Sequence, residues 1–493
     1  VSRDILGLDG LKRLPQKIGP FAESGHDQKY PGLFHETDSV GNQSSLSKAV
    51  REGGSVAHES PSALAEGEFL HLLARRLFPI TRSITGDGVR QTLQILSEYL
   101  PGLEVHEVPS GTPAFDWTVP QEWAIRDAYI EDPAGTRIID LRDSNLHVVS
   151  YSTHVDAVMP LANLESHLHS LPDQPDAIPY VTSYYNPTWG FCLTDRQRQE
   201  LADGKYRVLV DSDLFNGSLT YGELVLPGHS NKEVFISTYV CHPSLANNEL
   251  SGPLISTALA MWLASLPDRR FTYRFVFVPE TIGALTYASQ NLKDLKDHVI
   301  AGFNLTCIGD DGDYSYLASR LGDTRVDAIG RHVVSLTERP VYYTYLDRGS
   351  DERTYCAPGI DLPLISLMRT RYGNYPEYHT SLDDLSVVTP TGLQGGLNLV
   401  RDCIEILEHD ALYCSTVLGE PQLGRRGMYH RMHSKTVADV ILLRTHVLAY
   451  CDGQHSLFDI ATLLKRPFAD VLSVAEELLE HGLLAPADAA THG

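Results

Sequence analysis

The sequence predicts an α/β protein whose core is a three-layer, mainly parallel sheet with helices on both faces. Three observations predict it. Between about residues 232 and 409, apolar strands alternate with helical segments, and such alternation builds a parallel sheet covered on both sides. The densest polar clusters fall mostly just after predicted strands, where ligand sites in these sheets lie. After about residue 420 the pattern changes to three amphipathic helices ending in HGLL, a winged-helix-like pattern.

Residues 1–62 are rich in Gly, Ser, His and charge and lack periodicity, so a disordered or loosely packed arm is expected. "EFLHLLARRLFPI" has apolar residues at helical spacing. "SITGDGVRQTLQILSEYLPG" gives a Gly-rich turn and a second helix, stopped by Pro101 and Gly102. From 103 the period shortens, and "LEVHEVPSG", "AYIEDPAGTRIIDL" and "LHVVSYS" read as strands. "KYRVLVDSDLFNGSLTYGELVLPG" reads as two or three more. Then come strand "KEVFISTYVCHPS", helix "LSGPLISTALAMWLASLP", strand "YRFVFVPET", helix "ALTYASQNLKDL" and strand "VIAGFNLTCIGDD". Helix "VDAIGRHVVSLT", strand "LPLISLMRT" and the long helix "PTGLQGGLNLVRDCIEILEHDA" complete the block.

The chain has 493 residues, enough for two or three domains, and a formal net charge of -23. That charge disfavours nucleic acid and an anionic membrane as partners, because both need clustered Lys and Arg. The stretch from Glu420 onward carries seven Lys and Arg against nine Asp and Glu, so the winged-helix pattern is expected to pack or meet a protein partner. Seven cysteines without a CxxC pair fit a reduced, cytoplasmic compartment. There is no GxSxG elbow and no GxGxxG after a strand, which disfavours a serine hydrolase and a dinucleotide-binding dehydrogenase. A homo-oligomer is left open.

Four clusters can carry chemistry. His242 follows an apolar strand and precedes a helix, which suits either a metal ligand or a hydrogen-bonded loop histidine. Glu280 ends another buried strand and suits a general base or a helix N-cap acid. Arg348, Asp351, Glu352 and Arg353 lie within six residues, as a solvated loop or as a grip on a substrate carboxylate or amine. The fourth cluster, "MRTRYGNYPEYHTSLDDL", gathers Arg369, Arg371, Tyr372, Tyr375, Glu377, Tyr378 and His379. Aromatics and arginines suit a pocket for a polar ligand, and Asp383 stands four residues past His379, where it is expected to orient a ligating imidazole.

Together these residues resemble the clan of bacterial leucyl aminopeptidases and glutamate carboxypeptidases. The clan pattern is a His, an Asp-Asn before Ser-Gly, a Glu-Glu, an Asp and a His in HTxxD. His242, the LSG at 250–252, Glu280 and "HTSLD" from His379 to Asp383 fit it. More closely, the chain resembles a family of aminopeptidase-like proteins linked to polysaccharide or natural-product biosynthesis. The stretches that carry this are "LFPITRSITGDGVRQTL", "FDWTVPQEW", "IPYVTSYYNPTWGFC", "STYVCHPS", "PETIGA", "GSDERTYCAPGIDLP" and "YPEYHTSLDDL", spanning about 68–415. The resemblance implies a catalytic domain over 63–115 and 205–415, an inserted β-rich domain over 116–204 and a winged-helix domain over 416–490.

Three departures from the clan pattern bear on the metal. The bridging Asp falls on Asn248 and its Asn neighbour on Glu249, the second Glu on Thr281, and the later Asp on Thr306. The resemblance then implies one zinc ion rather than two, held by His242 and His379 with Glu249 swinging in beside Asn248. Glu280 would be the base and Asp383 the support. Asp351, Arg353, Arg369, Arg371, Tyr372 and Tyr378 would bind substrate. The expected activity is metal-dependent hydrolysis of a small amide or peptide-like biosynthetic intermediate. The alternative is a metal-poor or metal-free binding protein, or a non-hydrolytic enzyme, because an amide is a poorer zinc ligand than a carboxylate.

Overall fold

The computed structural model describes residues 66–428 and 435–487. The arm expected over 1–62 lies outside the described residues. Eight strands form the main sheet: β1 (Glu104–Pro109), β2 (Ser218–Leu226), β3 (Glu233–Tyr239), β4 (Thr272–Val278), β5 (Val299–Leu305), β6 (Tyr314–Leu317), β7 (Pro340–Tyr343) and β8 (Leu364–Met368). Their order is β1-β2-β4-β3-β5-β8-β6-β7. The four central strands β4, β3, β5 and β8 run parallel, and antiparallel pairs appear only toward the edges.

The central strands are buried on both faces, which is why the sequence shows them as continuous apolar runs. Side chains alternate across the sheet and divide the core in two. Val234, Ile236, Phe275, Phe277 and Phe303 point to one layer. Phe235, Tyr239, Val276 and Val278 point to the other. The first layer is filled by α1 (Glu66–Leu77), α2 (Asp87–Ser97), α3 (Ser251–Ser265), α5 (Arg325–Ser335) and α6 (Pro390–His409). The second takes α4 (Ile282–His298) and part of the inserted region. Helix α6 starts where Thr389 accepts the Gly392 N–H and Pro390 occupies the first turn, a strong local start signal.

The inserted region has its own antiparallel sheet, in the order Arg137–Asp140, Glu122–Glu131, Lys205–Phe215, Val155–Pro160. Lys205–Phe215 pairs with Glu122–Glu131 along its length, so the small sheet runs past the boundary expected at 204. The insert also reaches back to the main sheet. Pro179 bridges Thr380, the Tyr180 N–H donates to His379 O at 2.9 Å, and the Ser381 N–H donates to Ile178 O at 2.8 Å.

At the C-terminal end, three short strands (Leu412–Ser415, Asp452–Ser456, Leu484–Pro486) and three helices (Lys435–Tyr450, Leu457–Leu464, Phe468–Glu480) form the winged helix. Its last helix packs on α6, and its buried side chains join the same apolar layer. No described helix is long and apolar enough to cross a membrane.

Candidate active site

Residues from the polar clusters meet beyond the carboxyl ends of three strands: His242 follows β3, Glu280 follows β4 and His379 follows β8. Past β3 the chain runs through Val240 and Cys241 to His242, which is buried. It then winds through one π-helical turn, Ala246–Leu250, before α3 begins. Single π turns inside helices are a frequent mark of functional sites. This one carries Asn247, Asn248 and Glu249, all buried. Their backbone is held by Asp383, whose two carboxylate oxygens accept the N–H groups of Asn247 (2.7 Å) and Asn248 (2.9 Å). Tyr375 donates a third bond at 3.2 Å. Asp383 is thus occupied with the turn that bears Asn248, and does not orient His379 as expected. Burial lifts its carboxyl to about 6, against the pull of the two amides.

Glu249 takes the orienting role for the other imidazole. Its Oε2 lies 3.0 Å from His242 Nδ1, and its Oε1 lies 3.5 Å from Arg82 Nε, both side chains being fully buried. Arg82 in turn donates to His242 O at 2.8 Å and Leu77 O at 2.7 Å. A carboxylate on Nδ1 fixes the tautomer and leaves Nε2 as the working nitrogen. Burial disfavours the charged ring, but the Glu249 bond and charge outweigh it and leave His242 above the ordinary imidazole value. The expected union of Glu249 with His379 in one ligand set is therefore corrected. The buried donors that gather around Glu249 are Cys241 and His242.

His242 Nε2 faces Glu280 Oε2 at 3.8 Å. The His379 ring centroid is 5.6 Å from that of His242. Tyr378 stacks on His379 at 3.9 Å, and Tyr180 from the insert meets both imidazoles, at 5.0 and 5.3 Å. His379 Nε2 is buried with no partner. Burial, and then the charge of His242, hold the His379 ring down at about 3, so it is neutral at any physiological pH. A neutral imidazole with a free nitrogen is what a metal requires. Asn248 donates through Nδ2 to Tyr239 OH at 2.7 Å, which leaves its buried Oδ1 unpartnered. Thr306 bonds to Tyr239 OH and Asn248 O, so the position where the clan has an acid is spent on structure.

Glu280 precedes a strained corner. Thr281 has φ +62, an outlying conformation for a β-branched residue. Such strain costs about 1–3 kcal/mol and persists only where neighbours impose it. Here the Thr281 N–H is held by Asp351 Oδ1 at 2.8 Å and its hydroxyl accepts from Arg353. Burial raises both Glu280 and Asp351 above the usual carboxylate range, and the charge of Glu280 adds to the shift at Asp351. Asp351 is fully buried, braces the corner and is not part of the lining of the pocket beside Glu280.

The expected substrate grip at 369–378 is largely structural. Arg369 is buried. It stacks 3.8 Å over Tyr314 and donates to the carbonyls of Asp313 and Gly312 at 2.8 and 2.9 Å. Arg371 donates to Asp347 O at 2.6 Å, and Tyr372 donates to Glu352 at 2.8 Å from a buried position. These loops have carbonyls to satisfy, and the cationic and phenolic donors do so. Of that cluster, Tyr378 and Tyr375 remain at the site. Arg353, by contrast, lines an open pocket beside Glu280 of about 510 Å3, with Ile84, Trp117, Tyr184, Tyr185 and Leu285 among its walls. Sequence reasoning missed Arg82, Tyr180, Tyr239 and the two pocket tyrosines. A single arginine inside the otherwise uncharged "FPITRSITG" was an available signal for the first.

This fold, with a histidine and a carboxylate at neighbouring strand ends, is an aminopeptidase-like α/β architecture. It is similar to a zinc aminopeptidase from Bacillus subtilis, with a TM-score of 0.51, 13% identity, and coverage of 70% of this chain and 95% of that one. Residues 71–410 match the family described as a domain of unknown function, DUF4910, and residues 411–486 match a winged helix-turn-helix. The chain belongs to that family. A relative from Clostridium acetobutylicum, described as a polysaccharide biosynthesis protein with an aminopeptidase-like domain, is 42% identical over 422 residues, 85% of this chain and 96% of the relative. A crystal structure from the same organism, named as a candidate peptidase, has a TM-score of 0.79 at 41% identity, covering 85% of this chain and 96% of that one.

Proposed function

We propose that the protein is a metal-dependent amide hydrolase acting on a small amide or peptide-like intermediate of a biosynthetic pathway. The observation that carries this reading is the trio of His242 Nε2, the unpartnered His379 Nε2 and the raised carboxyl of Glu280, 3.8 Å from His242. The donor set fits one ion better than two. His242 and His379 would hold it, with the orphaned Oδ1 of Asn248 as a neutral third donor. On the clan resemblance, Thr281 and Thr306 take the places of the carboxylates that a second ion would need. A zinc ion there would polarise the amide carbonyl and acidify a water.

The chain's own residues do the rest. Glu249 and Arg82 keep Nδ1 of His242 occupied. Asp383 fixes the turn that bears Asn248. Glu280 accepts the proton of the attacking water and returns it to the leaving nitrogen, and a carboxyl raised by burial is better matched to that exchange near neutral pH. The winged helix is read as a packing or partner-contact module.

The test is amide hydrolysis by zinc-loaded protein, with Glu280→Gln as the comparison. The expected loss in kcat is about 10²–10⁴-fold, with zinc still bound. Equal turnover by both proteins would sink the proposal. Asn248 supports a second reading, a protein that binds its ligand without cleaving it, and ligand binding unaffected by a chelator with no turnover would favour that one.

A further inference from the structure

The pocket beside Glu280 carries information about the substrate. It has a volume of about 510 Å3, within the ~300–1,000 Å3 range of small-molecule sites. One wall is aromatic and comes from the insert and the chain leading into it: Trp117 and Tyr185 meet edge to face at 5.7 Å, and Tyr184 stands beside them. The aliphatic lining comes from α4 and its neighbours, through Ile282, Leu285 and Ile360. Such walls accept a flat or branched apolar group of side-chain size.

The charges in the lining are sparse and specific. Glu280 is its one carboxylate and Arg353 its one cation. Among the described residues Arg353 forms no ion pair, and its hydrogen bond goes to the Thr281 hydroxyl. A substrate with a free amino terminus would need a carboxylate besides the base to receive its ammonium, and the pocket has none. A substrate with a free carboxylate finds an unpaired guanidinium, whose planar fork suits a carboxylate.

On the reading that Glu280 serves amide hydrolysis, we infer that the substrate class is an N-acylated amino acid: its aromatic or branched side chain fills this pocket, its free carboxylate meets Arg353, and its acyl amide lies toward Glu280. The site would then cut on the amino side of a carboxyl-terminal unit, rather than release an amino-terminal residue.

The test is calorimetric binding to the full-length chain, with and without a chelator, so that binding is read apart from turnover. The probes are N-acetyl-L-phenylalanine, its carboxamide, and L-phenylalaninamide. The free acid is expected to bind at least ~10-fold more tightly than either amide, as loss of one charge-assisted contact implies. Arg353→Met should erase that preference. Leu285→Trp should weaken the phenylalanine acid and spare N-acetylglycine. Tighter binding of L-phenylalaninamide than of the acid, or an unchanged preference in Arg353→Met, would overturn the inference. The comparison of acid and amide on the unaltered chain stands even where a variant folds poorly. Acid preference without any hydrolysis would defeat the proposed function and leave the pocket assignment standing. Hydrolysis indifferent to the carboxylate would do the reverse.

Discussion

Two loops flanking β8 carry similar residues and do opposite jobs. The loop before β8 contains Asp351, Glu352 and Arg353; the loop after it contains Arg369, Arg371 and Tyr372. Density of charge and aromatics favours the later loop as a binding site and leaves the earlier one open between a solvated loop and a substrate grip. The fold spends their donors differently. Arg369 and Tyr372 are buried and satisfy carbonyls and a carboxylate. In the earlier loop Asp351 and Glu352 are buried struts, and Arg353 alone is turned outward, into the pocket beside Glu280. A cluster's composition shows that donors are present. Which of them are already spent depends on the backbone groups that the fold brings within reach.

The largest effect expected from this contrast is on stability. Arg369→Ala removes hydrogen bonds to carbonyls and the stack on Tyr314, and should cost about 2–4 kcal/mol in urea unfolding. Tyr372→Phe, which deletes one buried bond to a carboxylate, should cost about 1–2 kcal/mol. Asp351→Asn keeps an acceptor for the Thr281 N–H but cannot ionise. Because the Asp351 carboxyl is raised in the folded state, its contribution is complete below the ordinary carboxylate range and is lost as pH rises through the folded value. The variant should therefore gain on the wild type as pH increases, and a variant that instead loses ground to the wild type with rising pH would contradict the burial argument. Arg353→Ala, at an exposed residue with no ion pair among the described residues and a single hydrogen bond, to the Thr281 hydroxyl, should cost less than about 1 kcal/mol. A cost near that of Arg369→Ala would erase the distinction between the loops.

Much of the architecture was legible from sequence. The mainly apolar runs at 233–239, 272–278 and 299–305, alternating with helical segments, read as a buried parallel sheet, and their ends fix where His242 and Glu280 emerge. The motif around His379 was legible too, but its local geometry was not. His379 has φ +57 and its carbonyl accepts from Tyr180 of the insert, a contact between residues 199 positions apart in the chain. The roles of Glu249 and Asp383 were hidden for a similar reason. Both acids stand near a histidine in sequence, yet the π turn presents Glu249 to His242 Nδ1 and its backbone amides to Asp383. The insert boundary was hidden because Lys205–Phe215 and Ser218–Leu226 read as one block and serve two different sheets.

The central claim is that His242 and His379 are ligands for one ion and that Glu249 supports His242 without joining them. Equilibrium zinc binding to the purified chain, compared with His379→Ala and Glu249→Gln, tests it most directly. The account predicts about one zinc per chain, lost in His379→Ala and weakened about 10–100-fold in Glu249→Gln. No zinc in the unaltered protein, or a Glu249→Gln defect as complete as that of His379→Ala, would contradict it.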